Sequence, residues 1–234
     1  MAINQITKIR LPSGQEVALT DWSDRPLYST VDFLSGFTDE ELRAFTYSSS
    51  ENVTQSGNFA AAARRVATLR DTNVSQSSEM AATEEYLVYQ IKVEVAQFTL
   101  AANQLTINTA GDPIPNAPNI GQFNHRIIGE LEVSDKAFPQ AGIGWFNTGF
   151  GPDIAGVGAV VAARTYANSG SPQHDASYSM SIPVHIGGTE DYSFIFHNPT
   201  GAAVGFVDDT AAADANAVLQ ARVYLCGLHK RPTA

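Results

Sequence analysis

From Tyr178 to Ile186 the side chains alternate in character. Tyr178, Met180, Ile182, Val184 and Ile186 fall on one side, and Ser177, Ser179, Ser181, Pro183 and His185 fall on the other. A period of two marks a half-buried strand, because successive Cβ atoms of an extended chain point to opposite faces. Pro183 cannot donate to a ladder, so this strand belongs at a sheet edge or is locally irregular. Gly187-Gly188 then turns the chain. Tyr192, Phe194 and Phe196 alternate with Ser193, Ile195 and His197 in the next strand, which predicts that Ile195 differs from the two phenylalanines in burial. Asn198-Pro199-Thr200-Gly201 closes it with turn chemistry, and Val204 to Val207 reads as a short strand.

The same rule finds further strands. Leu87, Tyr89, Ile91, Val93 and Val95 form the apolar face of a strand from about Glu85 to Phe98. Leu219, Ala221, Val223 and Leu225 line a last strand, roughly Val218 to Leu228. Arg126 to Val133 and Val157 to Tyr166 are weaker candidates. Ile3 to Leu11 and Glu16 to Leu19 flank Pro12-Ser13-Gly14 and read as a hairpin. Helix is sparse. Thr38 and Glu41 match a capping box, which predicts a short helix over Asp39 to Phe45, and the Ala-rich Phe59 to Leu69 is a second candidate. Ala101 to Phe123, Ser134 to Gly156 and Ala167 to Ala176 read as long loops of the kind that carry function or interfaces. Strands joined by such loops predict one all-β domain over residues 1–234. The expected form is a jelly-roll β-sandwich with an extended N-terminal arm (about 1–19), a single roll with a compact double one as the alternative.

Composition narrows the function. The net charge is −10, which repels phosphate and argues against broad nucleic-acid binding. His229, Lys230 and Arg231 make a short basic end, read as a solvated tail. Only 16% of residues are charged, against about 25% in ordinary domains. The surface is therefore rich in small uncharged groups that cost little to desolvate. Cys226 is the single cysteine, which excludes an intrachain disulfide and reads as a small buried hydrophobe. Met1 to Arg10 lacks the apolar stretch of a signal peptide, and no apolar run approaches the roughly 20 residues that span a bilayer. The expectation is a soluble chain made in a reducing cytosol.

The search for chemistry returns little. The histidines His125, His174, His185, His197 and His229 show no metal-motif spacing, and the His-x-His pair of a cupin is missing. His185 and His197 lie on consecutive strands and are the one pair that could converge. Gly142-Ile-Gly144 and Gly156-Val-Gly158 lack the full nucleotide-loop spacing. No Gly-x-Ser-x-Gly elbow or Walker loop occurs. Asp208, Asp209, Asp214 and Asn216 offer oxygen ligands without EF-hand spacing, and read as a solvated loop. Trp22 and Trp145 could serve as sugar platforms, although core or interface anchors are commoner. No catalytic residue, cofactor or metal is expected.

The N-terminal arm Met1 to Leu19, the long loops and the hydrophobic final strand Val218 to Leu228 together resemble the jelly-roll capsid proteins of tailless icosahedral viruses, the smaller bacteriophage ones in particular. That resemblance is architectural and rests on no short motif. It implies a structural virion protein, a coat subunit made in the host cytoplasm, whose partners are further copies of itself and other virion proteins. Without a basic arm such a subunit is poorly equipped to touch a genome. A membrane or another protein could line the shell, or the basic C-terminal end could make the contact. The competing readings are a receptor- or glycan-binding β-sandwich module and, third, a cupin-like enzyme. For self-assembly the interface candidates are Ile143, Trp145, Phe146 and Phe150, set among glycines, and Ile3 and Ile6 of the arm. They are expected to lack partners within their own chain.

Overall fold

The computed structural model describes residues 8–10, 16–18, 22–101, 104–106, 116–146, 152–153, 167–168, 179–206 and 215–230. In chain order its strands are β1 (Lys8–Arg10), β2 (Glu16–Ala18), β3 (Trp22–Asp24), β4 (Leu27–Leu34), β5 (Glu41–Ala44), β6 (Thr54–Gln55), β7 (Glu85–Ala101) and β8 (Gln104–Thr106). After the helix α1 (Asn116–Arg126) come β9 (Ile128–Val133), β10 (Lys136–Gly142), β11 (Pro152–Asp153), β12 (Ala167–Asn168), β13 (Ser179–Ile186), β14 (Tyr192–His197) and β15 (Ala217–Lys230). Two sheets pack as an all-β sandwich. The larger has the order β13-β7-β15-β4-β6, and the smaller β10-β9-β14-β5. The pairing is nested. β4 pairs with β15, β5 with β14, β7 with β13 and β9 with β10, all antiparallel.

The core between the sheets is aromatic. Phe33 of β4 meets Phe196 of β14 edge-on at 5.3 Å and Phe123 of α1 at 4.8 Å. Ala217, Leu219, Ala221, Val223 and Leu225 of β15 are buried on this side, as their alternation requires. In β7 the alternation changes phase. Gln90 pairs with Cys226 and Val88 with Gly227, which leaves Tyr89 as an extra residue, a β-bulge. Beyond the bulge Ile91 and Val93 face the core. Before it Tyr86 and Val88 do, while Leu87 turns outward to pack with Trp22 and Leu228. The single apolar face predicted from Leu87 to Val95 is thereby corrected. Tyr86 needs the space Gly227 leaves. A Cβ at Gly227 would lie 2.1 Å from the Leu87 carbonyl oxygen and 2.7 Å from the Tyr86 ring. The buried Tyr86 hydroxyl donates to carbonyls of Arg25 and Leu225 at 2.6 and 2.7 Å.

A strap formed by residues 45–74 covers the edge of β4. Groups of β4 that point away from β15 are taken up one after another. Asn73 Oδ1 accepts from the Tyr28 N–H (2.8 Å), the Tyr47 hydroxyl bonds both backbone groups of Thr30, and Ser56 Oγ accepts from the Leu34 N–H (2.9 Å). Beneath the strap Asp32 is fully buried. Arg65 reaches it with Nε at 2.8 Å and Nη2 at 3.1 Å, and sends Nη1 to Asp71 at 2.6 Å. Gln220 of β15 donates to the same Asp32 carboxylate at 3.0 Å.

Several predicted elements differ. Asp39 to Phe45 is not a helix, because Glu41–Ala44 forms β5, where Ala44 is buried opposite Phe194. Phe59 to Leu69 holds only a 3₁₀ turn at Ala61–Ala63. The Arg65 and Ala67 backbones instead exchange hydrogen bonds with Val53 and Glu51. Tertiary partners override helix propensity in both places. Conversely α1 lies inside the expected loop Ala101 to Phe123. Pro118 falls in its first turn, where its missing N–H costs nothing, and Ile120 and Phe123 enter the core. The expected loop Ser134 to Gly156 contains β10. Ser134 and Asp135 both have positive φ (48° and 61°), which makes a two-residue hairpin turn without the usual glycine. Ile182 is exposed, contrary to expectation, because β13 shifts register between Ser179 and Val184 around Pro183. β13 is indeed an edge strand. Ile195 is as buried as Phe194 and Phe196, although it faces away from the core. Val204 makes an isolated bridge to Phe37, while Val157 to Tyr166 lies outside the described residues.

Phe196→Ala should cost about 3–5 kcal/mol of stability, since the ring is 2% exposed and touches both sheets' aromatic residues. Urea unfolding measures it, and a loss under 1 kcal/mol would contradict this packing.

Candidate functional site

The residues proposed for interfaces separate. Ile143 and Phe146 do have partners within the chain. They sit on a 3₁₀ turn (Ile143–Phe146) that follows β10, and both are buried. Phe146 packs edge-on against Phe194 at 5.4 Å, and Ile143 fills space left by Gly129 on β9. A Cβ at Gly142 or Gly144 would meet only Asn124 among the described residues, at ordinary contact distance, so the close fit comes from Gly129, outside the predicted segment. Trp145 between them is 63% exposed. Phe150, Ile3 and Ile6 lie outside the described residues, as do Asp208, Asp209 and Asp214. In the arm, β1 pairs with β2 as the predicted hairpin, with Lys8 opposite Ala18. Trp22 is buried against Leu87 and Leu228, so it is no sugar platform.

His185 and His197 do not converge, because β13 and β14 belong to different sheets. His185 faces Glu85 at 3.2 Å, and Lys230 bonds the other oxygen of that carboxylate. His197 faces the nearly buried Glu130 at 3.2 Å, with Glu41 at 3.6 Å. Among the described residues no three His, Cys, Asp or Glu side chains group as a metal would require.

Two surface features stand out that the sequence reading missed. The first is a polar hollow of about 270 Å³ on the smaller sheet. Arg43 is among its lining residues, bonding Glu132 at 2.8 Å and Ser193 at 3.2 Å. The Glu132 hydrogen bond, opposed by partial burial, holds the Arg43 pKa above its ordinary value. Asp135 and Asp191 stand exposed at the rim and make no ion pair with a described residue. The second is the outer side of the strap. Val66 (57%) and Leu69 (72%) are two of the four exposed large apolar side chains among the described residues. Arg64 and Arg70 flank them, exposed, and likewise make no ion pair with a described residue. Most of this patch falls in Phe59 to Leu69, the segment read from its alanines as a candidate helix.

The strap's anchor is electrostatic. Burial pushes the Asp71 carboxyl up. Hydrogen bonds from the Thr68 N–H and from Arg65, together with the Arg65 charge, outweigh it and hold the pKa below the usual carboxylate range. Burial works against the Arg65 charge as well, but Asp32 and Asp71 overcome it and raise its pKa. No family model matches the chain, and no curated protein matches it significantly.

A depressed carboxyl stabilises the fold fully above its unfolded pKa, and that contribution is lost as pH falls through the folded value. Asp71→Asn should therefore lower the melting temperature at pH 7. The gap to wild type should shrink as pH drops below the ordinary carboxylate range. A gap independent of pH would show that the Asp71 charge does not hold the strap. EDTA should leave the melting temperature unchanged, and a fall of several degrees would reveal a structural ion.

Proposed function

We propose that the chain is a structural, self-assembling coat subunit of an icosahedral virus or phage, built on a single jelly roll. The observation that carries this reading is the nested pairing of eight strands, first with last through to the two innermost, distributed four to each sheet. A hairpin of four strand pairs rolled into two sheets is how a jelly roll with its two Greek keys is wound. It supports a single roll over the compact double version. A fold does not imply a function. The low charge content, the small-residue surface and the hydrophobic final strand add support from the sequence. Partners on this reading are copies of the chain and other virion proteins, and its acidic charge disfavours direct binding to nucleic acid. Among the described residues no helix is long and apolar enough to cross a membrane.

A second reading, a glycan- or receptor-binding module, is favoured by one observation. Trp145 stands out from a short turn with most of its surface in water, as a stacking platform would.

Electron microscopy with light scattering distinguishes the two. Closed shells or regular sheets are expected, and either removal of residues 1–19 or Trp145→Ala should lower the assembled fraction. Discrete monomers or trimers at high concentration, with glycan binding lost in Trp145→Ala, would replace the coat reading with the binding module.

A further inference from the structure

We infer that copies of this chain associate head to tail, the outer side of the strap of one copy docking on the polar hollow of the next. This rests on the coat-subunit reading and names the contact it would use.

The argument starts from charge. In an acidic chain, Arg64 and Arg70 are both exposed and bracket the exposed Val66 and Leu69 in sequence. The strap, residues 45–74, holds two acids, Glu51 and Asp71. Asp71 turns inward to Arg65 and Thr68, and Glu51 accepts from the N–H and hydroxyl of Ser48. The strap thus displays positive charge and apolar surface together. The hollow displays the opposite charge. Its cation, Arg43, is already tied to Glu132 and Ser193, while Asp135 and Asp191 have no cationic partner among the described residues. About 270 Å³ is room for one long side chain such as an arginine. Apolar surface ringed by charge is a usual form for an interaction site. Here the complementary surface lies on the same molecule, which makes a second copy the fitting partner.

Rigidity adds to the case. Val66 is bridged to Asn52, the Val53 N–H donates to the Arg65 carbonyl, and the Arg65 side chain is fixed on Asp32. The patch is therefore held in place before contact, so little conformational freedom is lost on docking. The patch residues Arg64, Val66, Leu69 and Arg70 are not among those lining the hollow, so the contact is heterologous and generates rings where the rotation closes.

Three charge-reversal variants and one apolar variant test the contact by sedimentation at matched concentration. The charge reversals are Arg64→Glu with Arg70→Glu, Asp135→Lys with Asp191→Lys, and all four changes together. Each reversed pair should weaken association by about tenfold or more, and the fourfold variant should recover most of it. Val66→Ser with Leu69→Ser, which keeps every charge, should weaken association by a similar factor. All six sites are exposed, so the variants should stay folded, with a small loss of melting temperature at Asp135, whose φ of 61° suits Lys less well than Asp. Wild type that assembles beside reversed variants that assemble equally well would overturn this contact alone. Failure of the fourfold variant to recover would do the same. A wild-type chain that stays monomeric at every concentration would overturn the coat reading and this contact together.

Discussion

A carboxylate with no access to water, Asp32, sits on β4 facing away from the aromatic core. Left alone it would be strongly destabilising, since a buried unpaired charge costs several kcal/mol. Its partner comes from 33 residues further on, and bringing Arg65 there drags the whole strap over the sheet. Everything on that side follows from this pairing. The strap reaches the β4 edge and supplies it with hydrogen-bond partners from Tyr47, Ser56 and Asn73. It also fixes which strap residues face outward. A hydrophobic pair at Asp32 and Arg65 could be as stable, but it would not orient the strap through directional bonds to Asp71 and Gln220.

The treatment of the other edges fits the same theme. β13 carries Pro183 and a register shift, and β10 carries Pro139 and a shift between Ala137 and Gln140. Proline and irregular pairing are established ways of preventing one sheet from adding to another. With β4 covered and these two edges blunted, continuous sheet extension between copies is disfavoured along them. With those edges closed, contacts between copies would fall on side-chain surfaces, on the N-terminal arm or on β5, the other end of the smaller sheet. The strap, the hollow and Trp145 are such surfaces, and each projects from a segment held by buried anchors. For Trp145 those anchors are its neighbours Ile143 and Phe146.

Alternation alone revealed β13, β14, the long β7 and β15, and the all-β class followed from them. What it missed has local causes. A bulge at Tyr89 inverted the faces of β7, and nothing in the residues around it announces one, because its determinant is Gly227 on the partner strand. Ser134-Asp135 hid a hairpin, since both residues take positive φ without being glycine or asparagine. The capping-box pattern at Thr38 and Glu41 is a true local preference for helix that lost to the burial of Ala44 beside Phe194.

The candidate surfaces were less legible than the fold, and the reason is general. Burial is set by periodicity within one segment, which a sequence displays directly. A surface site is set by which segments meet, and by which charges are already satisfied within the chain. Arg65 and Arg64 are neighbours of the same type, yet one anchors the strap beneath it and the other stands in water. Only the position of Asp32, on a strand whose other face is core, distinguishes them. Candidate contact residues are thus the ones the fold leaves over, and they can be named only after its internal pairings have been assigned.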